Sequence, residues 1–431
     1  MFNLNQNLKN KNFLIYGFGK SGQATFKYLK KKNKVSIYDD NKKVKKVNIS
    51  VDKINQTIFD YIVLSPGIDI NKCKLKNYLK ENRGKVITDL DIFHLNNPNN
   101  LKITITGTNG KSTTSKLLFE ILKDQKKNVI LCGNIGTPIL SNRKINPTTI
   151  LVIEASSYQI DYSQYFKTDY AFILNIKPDH LERHKSIQKY AHAKFKLILN
   201  QNKNSYALID NNKFLNKEIK KYKVNSKIVK INYKNKMSQL ISNNYFDNLN
   251  NLENLSFILS FSKIYKLNKF KLFKTINKFQ GLKYRQQIIY KNKFITVIND
   301  SKSTSFSSSI NLLKSYKNIH WIVGGLAKKG DKFELPRKYY KNIKCYTFGR
   351  NIKFFNTILK KKVLTKSFKK LENILNEISN EIKLNRHLHS YVLFSPSAAS
   401  FDKFKNFEDR GKYFNYLIKK QKFIKKINAR Y

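Results

Sequence analysis

The feature that most constrains this chain is the run at residues 103–114, which reads Ile-Thr-Ile-Thr-Gly-Thr-Asn-Gly-Lys-Ser-Thr-Thr. The alternating Ile and Thr favour a β-strand, the glycines let backbone N–H groups approach an anion, and the leucines that follow indicate a helix. In such a loop Lys111 would neutralise the outer phosphates and Ser112 would bind magnesium. The general pattern has a glycine where this chain has Ile105. We therefore predict a phosphate-binding loop of shortened form.

The length and charge of the chain set the broad class of protein. A chain of 431 residues predicts two or three domains. The formal charge of +56 would suit a nucleic-acid-binding protein. Only nine of the 84 basic residues are arginines, however, and the lysines are spread along the whole length without a confined basic patch. We read the charge as a chain-wide compositional bias and expect no nucleic-acid partner.

Cysteine content and apolar runs indicate the compartment. The three cysteines lie far apart and lack metal-ligand spacing, which is typical of a reduced protein. No apolar run approaches the roughly 18 residues that a membrane helix needs, and the first twelve residues are polar. We expect a cytoplasmic monomer without a membrane partner.

The first hundred residues carry a glycine fingerprint. A strand at residues 13–16 leads into Gly-Phe-Gly-Lys-Ser-Gly at 17–22, and a second strand ends at Asp39 and Asp40. This is the dinucleotide-binding pattern, with a pyrophosphate at a helix N-terminus and an acid near a sugar or base. A third strand at 61–64 ends in Ser65-Pro66-Gly67. The pattern leaves open a mononucleotide-type fold whose turns hold no ligand.

The next segment alternates strands and helices. Apolar runs at 128–131, 150–153, 170–174 and 206–209 are typical of parallel strands, whose carboxyl ends carry ligands. Glu154 at one such end is placed like a magnesium ligand, although a surface acid would give the same pattern. His180 follows another strand, and a structural role and a metal or substrate role are equally open. A zinc site formed with His184 lacks a third nearby ligand.

The last part predicts a further α/β domain. Strands at 294–298, 321–323, 345–348 and 391–394 each run into a polar or glycine loop. Before them, an amphipathic helix at 248–263 puts Asn251 and Asn254 on one face, where the amides could read a base or face solvent. Arg285 is a candidate site residue because arginine is rare in this chain. The asparagine-rich stretch at 96–100 is the clearest linker.

Taken together, the order of these motifs resembles the Mur ligases of peptidoglycan synthesis over nearly the whole chain. The matching segments are 106–113, 133–136, 154–159, 179–180, 193–194, 299–304 and 395–411. The shortened phosphate loop is normal in that family. The first domain and the last segment resemble most the member that adds D-glutamate.

The resemblance implies a fold and an activity. The fold would be α/β, with a Rossmann-like N-terminal domain at 1–97, a central P-loop-type ATP-binding domain at 98–281 and a Rossmann-like C-terminal domain at 282–431. The activity would be ATP-dependent ligation of D-glutamate to UDP-N-acetylmuramoyl-L-alanine through an acyl phosphate, with Mg²⁺. The second hypothesis for the function is another Mur-type or folylpolyglutamate-type amide ligase, and the third is a dinucleotide-binding regulator.

The resemblance also assigns site residues. Those implied to bind ATP are Gly107, Thr108, Asn109, Gly110, Lys111, Ser112, Thr113, Asn254, Arg285 and Asp300. Those implied to bind the UDP substrate are Gly19, Ser21, Asp39, Ser65, Gly67 and Asn134. Those implied to bind D-glutamate are Lys302, Thr304, Lys329, Ser400 and Phe407. The implied catalytic residues are Lys111, Glu154, His180 and Lys194, and the implied metal ligands are Ser112, Glu154, His180 and, as a carbamate, Lys194.

Two positions depart from the family pattern or compete for one role. Tyr284 stands where the family pattern predicts a histidine. Lys328 competes with its neighbour Lys329 for contact with the amino acid.

Overall fold

The chain was analysed as a computed structural model, which describes residues 8–41, 48–141, 145–233, 241–328, 330–385 and 387–420. The described residues fall into two compact units. Those within Met1–Met237 and Ser256–Thr275 form the first unit, and those within Ser238–Leu255 and Ile276–Tyr431 form the second. The three-domain boundaries at 97/98 and 281/282 stay predictions.

The first unit begins with a four-stranded parallel sheet in the order β2-β1-β3-β4. Its strands are β1 (Asn12–Tyr16), β2 (Lys34–Tyr38), β3 (Tyr61–Leu64) and β4 (Val86–Ile87). Its helices are α1 (Lys20–Leu29), α2 (Val51–Gln56), α3 (Lys76–Glu81) and α4 (Asp89–Asn96). The strand order reverses between β1 and β3, so the loops after these two strands lie side by side.

A six-stranded parallel sheet follows in the same unit, in the order β10-β9-β8-β5-β7-β6. Its strands are β5 (Lys102–Thr106), β6 (Val129–Gly133), β7 (Ile150–Glu154), β8 (Tyr170–Ile173), β9 (Tyr206–Asp210) and β10 (Lys227–Ile231). The helices along it are α5 (Lys111–Asp124), α6 (Ser157–Asp161), α7 (Leu181–His184), α8 (Ile187–Leu199) and α9 (Lys213–Ile219). All residues of β5 and β7 are buried, as expected for central parallel strands covered on both faces.

A further six-stranded sheet lies in the second unit, in the order β11-β12-β16-β13-β14-β15, with only β11 antiparallel. Two helices precede this sheet in the chain: α10 (Leu249–Ile264), which belongs to the first unit from Ser256 onward, and α11 (Lys269–Lys278), which belongs to the first unit up to Thr275. Its strands are β11 (Gln287–Lys291), β12 (Ile295–Asn299), β13 (Ile319–Gly324), β14 (Ile343–Phe348), β15 (Leu364–Ser367) and β16 (Ser390–Phe394). Its helices are α12 (Phe306–Ser315), α13 (Ile352–Leu359), α14 (Leu371–Leu384) and α15 (Phe407–Lys420).

The predicted α/β class is confirmed, and every strand predicted from an apolar run is present. Four strands were not predicted. β4 has only two residues, while β10, β11 and β15 lie at sheet edges and carry lysines among their apolar residues. The residues of these three edge strands are mostly exposed or partly buried, so their sequence lacks the continuous apolar run of a central strand that is covered on both faces.

The stretch predicted as a linker is ordered at its C-terminal end. The side chain of Asn100 is buried, and its amide donates to the carbonyls of Asn146 and Thr149. The buried Lys102 ammonium donates to the carbonyls of Pro98 and Asn100. Asparagine and lysine therefore satisfy the backbone here, and their polarity alone is not evidence of a free linker. Within the residues described, no helix has the length and apolar content needed to cross a membrane.

Candidate active site

The phosphate loop, residues 107–113, leaves the central strand β5 and enters α5 at Lys111. Gly107 and Gly110 have φ angles of +152° and +87°, which favour glycine. A side-chain carbon at Gly107 would lie 3.0 Å from Cβ of Leu174. The loop therefore needs both glycines, and its residues Ser112 and Thr113 are buried in the first turn of the helix.

Asn175, just after the neighbouring strand β8, fixes the loop. The backbone N–H of Thr108 donates to the Asn175 carbonyl at 2.8 Å, and that of Asn109 donates to Asn175 Oδ1 at 2.9 Å. Asn175 Nδ2 returns a bond to the Asn109 carbonyl at 3.1 Å. These bonds hold the loop in one conformation before any ligand arrives.

Two lysines converge on the same loop carbonyl. Lys111 Nζ donates to the carbonyls of Gly107 and Thr108 at 2.9 and 2.8 Å, and Lys194 Nζ donates to the Gly107 carbonyl at 3.0 Å. Burial first, and then the Lys111 charge, hold the pKa of Lys194 well below its usual range, while Asp179 and Glu154 act in the opposite direction. Cationic and anionic groups therefore share this end of the sheet.

Glu154 ends β7, the strand beside β5, and is 1% exposed. Its Oε1 accepts a bond from Asn134 Nδ2 at 2.8 Å. Its Oε2 is buried and has no hydrogen-bond partner among the described residues. The surface-acid alternative is wrong, because the side chain is buried. A buried carboxylate oxygen without a donor is costly, and a bound cation would offset that cost.

A divalent cation fits this donor set. Within the described residues, no group of three or more His, Cys, Asp and Glu could hold a metal by itself. Mg²⁺ commonly takes one or two carboxylates and completes its shell with water and substrate phosphate. The buried Oε2 of Glu154 near a phosphate loop is consistent with such a partial protein site.

His180 and His184 have different surroundings. His180 has φ +54° and precedes α7; its Nε2 lies 3.4 Å from Asp179 Oδ2 and its side chain is 40% exposed. His184 is buried, and its Nε2 pairs with Ser157 Oγ at 3.0 Å. Burial lowers the pKa of His184. Because the buried His184 pairs with a serine, we assign it a structural role, and the site role of His180 stays a prediction.

The loops after β1 and β3, where the strand order of the first sheet reverses, are joined by a hydrogen bond. Ser65 Oγ donates to the Gly17 carbonyl at 2.6 Å, and Asp39 Oδ2 accepts from the Phe18 N–H at 2.6 Å. A side-chain carbon at Gly19 or Gly67 would meet nothing within 4 Å. The backbone at these two glycines is therefore uncovered, and the predicted contacts of Gly19 and Gly67 with the UDP substrate stay predictions.

Ser21 lies close to Asp89, a buried residue at the start of α4. Burial raises the pKa of Asp89 to about 6. The structure thus shows Ser21 in contact with protein, and its predicted contact with the UDP substrate stays a prediction.

In the second unit the loops after β12 and β16 lie together. Asp300 is buried and accepts bonds from Ser395 Oγ at 2.8 Å and the Gln286 N–H at 3.1 Å. Burial raises its pKa to about 7. The Lys302 ammonium lies 4.1 Å from the Phe407 ring centroid, and the Arg285 guanidinium lies 6.0 Å from it. Two cations therefore flank one aromatic ring.

The remaining predicted residues of this unit differ in exposure. Ser400 is buried, Thr304 is exposed and Lys329 lies outside the described residues. Asn254 is 3% exposed, and Asn251 donates to the Tyr245 carbonyl at 2.7 Å. The solvent-facing alternative for these amides is wrong. The nucleotide roles of Asn254, Arg285 and Asp300 stay predictions.

The side chain of Tyr284 fills the space beside Gly411. The Tyr284 ring lies where a side chain at position 411 would be, with a ring carbon 2.4 Å from such an atom. The tyrosine that replaces the family's histidine is therefore packed against α15, and any larger residue at 411 would displace it.

Sequence reasoning missed two arginines. Arg410 is buried, with its guanidinium donating to the carbonyls of Ser301 and Ala398 at 2.7 and 2.9 Å, which joins the loops after β12 and β16. Arg183 donates to the loop after β3. Arginine is rare in this chain, and the argument that made Arg285 a candidate holds equally for Arg183 and Arg410.

Comparison with known proteins supports one interpretation of this site. Residues 105–253 match the Mur ligase middle domain. The chain is 30% identical to the UDP-N-acetylmuramoylalanine–D-glutamate ligase of Rickettsia bellii, covering 94% of this chain and 97% of that protein. It is 31% identical to the ligase of the same name from Rickettsia felis, covering 94% and 96%.

Solved structures share the fold. The UDP-N-acetylmuramate–alanine ligase MurC of Thermotoga maritima superposes with a TM-score of 0.57 at 15% identity, covering 96% of this chain and 100% of that one. The MurF ligase of the same organism, in complex with ADP, gives 0.56 at 16% identity and covers 98% of both chains. The predicted α/β fold therefore corresponds to the known fold of Mur ligases.

Proposed function

The chain belongs to the Mur ligase family, and from this premise we propose that it joins D-glutamate to UDP-N-acetylmuramoyl-L-alanine while ATP is cleaved to ADP and phosphate. The observation that carries the proposal is the match, at 30–31% identity over 94% of the chain, to ligases named for this reaction. The reaction belongs to peptidoglycan precursor synthesis. The proposal includes a cytoplasmic location and a monomeric state.

The phosphate loop would bind the triphosphate of ATP. Its backbone is held by Asn175, and Lys111 lies over the carbonyls of Gly107 and Thr108. A bound γ-phosphate would attract the Lys111 ammonium away from these carbonyls, since phosphate carries a full negative charge. Lys111 would then offset charge on the transferring phosphoryl group.

Mg²⁺ would be held by Ser112 and Glu154, with His180 and, as a carbamate, Lys194 as further candidate ligands. The fit rests on the buried Oε2 of Glu154, which lacks a donor among the described residues. When bound there, the cation would neutralise phosphate charge. Asn134, which donates to the other oxygen of Glu154 at 2.8 Å, would keep the carboxylate in place.

The reaction needs no enzyme nucleophile. An oxygen of the alanyl carboxylate attacks the γ-phosphorus, the bond to the β–γ bridging oxygen breaks, and ADP leaves. The D-glutamate amine then attacks the acyl carbon, loses a proton and displaces phosphate. The chain would contribute positioning and charge stabilisation, which are the main sources of catalysis in phosphoryl transfer.

The D-glutamate site would lie at the loops of the third sheet. Lys302, Thr304 and Ser400 supply the cation and hydroxyl groups that two carboxylates need, with Phe407 beside the Lys302 ammonium. Lys328 or Lys329 would add a second cation. Arg410, which joins two of these loops, would hold them at a fixed separation.

Lys194 is suited to the carbamate that the resemblance implies. Carbamylation requires a neutral amine, and burial together with the Lys111 charge holds the pKa of Lys194 well below its usual range. The modified group would carry a negative charge beside Lys111. We predict a ¹³C carbamate signal after incubation with labelled bicarbonate, absent from Lys194→Ala; a signal of equal size in that variant would contradict the assignment.

A panel of amino acids tests the proposal. With ATP, Mg²⁺ and UDP-N-acetylmuramoyl-L-alanine present, we expect phosphate release with D-glutamate and only background release with L-glutamate, L-lysine, L-alanine or diaminopimelate. Omitting the UDP substrate should also give background. Release with another amino acid but not with D-glutamate would identify a different ligase of the family, and release with none would remove the ligase assignment.

A further inference from the structure

We propose that Arg183 is a positioning residue for the UDP-substrate loop, here defined as residues 65–68. Its guanidinium donates from Nη1 to the Pro66 carbonyl at 2.8 Å and from Nη2 to the Ile68 carbonyl at 2.6 Å. These carbonyls flank Gly67, whose outer side is open. The inference rests on the proposed function, because it concerns the loop to which that function assigns the UDP substrate.

The two bonds fix the loop in a particular way. The arginine fork is planar and offers two parallel donors, so it defines both the distance and the direction of the two carbonyls. The loop in turn holds its neighbour, since Ser65 Oγ donates to the Gly17 carbonyl. Arg183 therefore acts, through one loop, on both glycine turns at the switch point of the first sheet.

The Arg183 guanidinium also contacts aromatic residues of the candidate active site. The guanidinium lies 4.0 Å from the Tyr158 ring centroid and 5.2 Å from that of Tyr162. The Tyr158 ring stacks on His184, with centroids 5.5 Å apart, and lies 4.9 Å from His180. Arg183 is thus anchored among the groups next to the candidate metal ligand His180.

These contacts continue to the phosphate loop. The His184 ring centroid lies 5.2 Å from that of Tyr190, and the Tyr190 hydroxyl lies 3.3 Å from Thr108 Oγ1. A row of packed side chains therefore connects the UDP-substrate loop with the loop that would hold ATP. On the proposed function, this row would fix the separation of the two loops between which the alanyl carboxylate reaches the γ-phosphate.

A purely structural role for Arg183 is weakened by other contacts between the same two sheets. Asp91 Oδ1 accepts bonds from Ser163 Oγ at 2.6 Å and from the N–H groups of residues 164–166 at 2.8–3.0 Å. Gln164 Nε2 donates to the Val86 carbonyl at 2.6 Å. The two sheets are joined away from the substrate loop, so Arg183 is not needed to hold them together.

The test compares Michaelis constants in three variants. Arg183→Ala removes both donors, and we expect KM for the UDP substrate to rise about 10- to 100-fold while KM for ATP stays within about twofold. Arg183→Lys keeps the charge but cannot serve both carbonyls in the same geometry, so its KM should lie between those of Arg183→Ala and the wild type. Calorimetric titration with the UDP substrate alone checks the same change without turnover.

Gln164→Ala is the matched control, because it removes a side-chain donor between the same two sheets but does not contact residues 65–68. It should lower the unfolding temperature and leave KM for the UDP substrate unchanged. An unchanged KM in Arg183→Ala, or an equal rise in Gln164→Ala, would overturn the inference. If Arg183→Ala does not fold, Arg183→Lys decides by the same criterion. A wild-type chain inactive with D-glutamate would instead refute the proposed function.

Discussion

Replacing Lys111 with alanine is expected to lower kcat by roughly 10³-fold or more while the fold is retained. The ammonium is the cation on the phosphate loop itself, 2.9 and 2.8 Å from the carbonyls of Gly107 and Thr108. Alanine is a good helix former, so the first turn of α5 should persist. ADP release at saturating substrate measures the rate, and thermal unfolding checks the fold.

Lys116→Ala is the control for this variant. Lys116 lies on the same helix and pairs with Glu120 at its partly exposed surface, 3.2 Å away. Surface pairs of this kind contribute little, so both rate and stability should stay near the wild type. A Lys111→Ala enzyme within about tenfold of the wild-type rate would show that the loop does not act on the transferring phosphate.

Glu154→Gln should lower kcat by roughly 10²- to 10⁴-fold. The substitution preserves shape and can keep the bond from Asn134, because glutamine retains an Oε1 acceptor. It replaces the buried Oε2, which has no donor among the described residues, with an amide nitrogen that cannot bind a cation. The loss should therefore fall on Mg²⁺ use rather than on folding.

A magnesium titration distinguishes an effect of Glu154→Gln on Mg²⁺ use from an effect on folding. We expect Glu154→Gln to require a much higher Mg²⁺ concentration for half-maximal rate, with an unfolding temperature equal to or above that of the wild type, because a buried charge is removed. Glu120→Gln, on the surface of α5, should change neither. A normal Mg²⁺ requirement in Glu154→Gln would remove this residue from the metal site.

Local sequence patterns were sufficient for the central strands and the phosphate loop. β5 and β7 are covered on both faces, so their composition is dictated by burial, and Gly107 and Gly110 are required by their positive φ angles. The edge strands β10 and β15 carry no such constraint. Their pairing depends on neighbours distant in sequence, which a local pattern does not contain.

The candidate site, like the fold, could be predicted only in part from local sequence patterns. Positions at or after strand ends made Glu154 and His180 candidates, because parallel strands bring their carboxyl ends to one edge. The fixing contacts of Asn175 on the phosphate loop and of Arg183 on Pro66 and Ile68 join segments 66 to 117 residues apart. Such pairs follow from the packing of whole elements and have no spacing that sequence reading could detect.

Oxygen transfer tests the central claim, that ATP activates a substrate carboxylate, most directly. UDP-N-acetylmuramoyl-L-alanine labelled with ¹⁸O in the alanyl carboxylate should yield, with D-glutamate and ATP, inorganic phosphate that contains one labelled oxygen per turnover, read by mass spectrometry. Attack of the carboxylate on the γ-phosphorus requires this result. Turnover that released only unlabelled phosphate would contradict the account, because water would then have attacked the nucleotide.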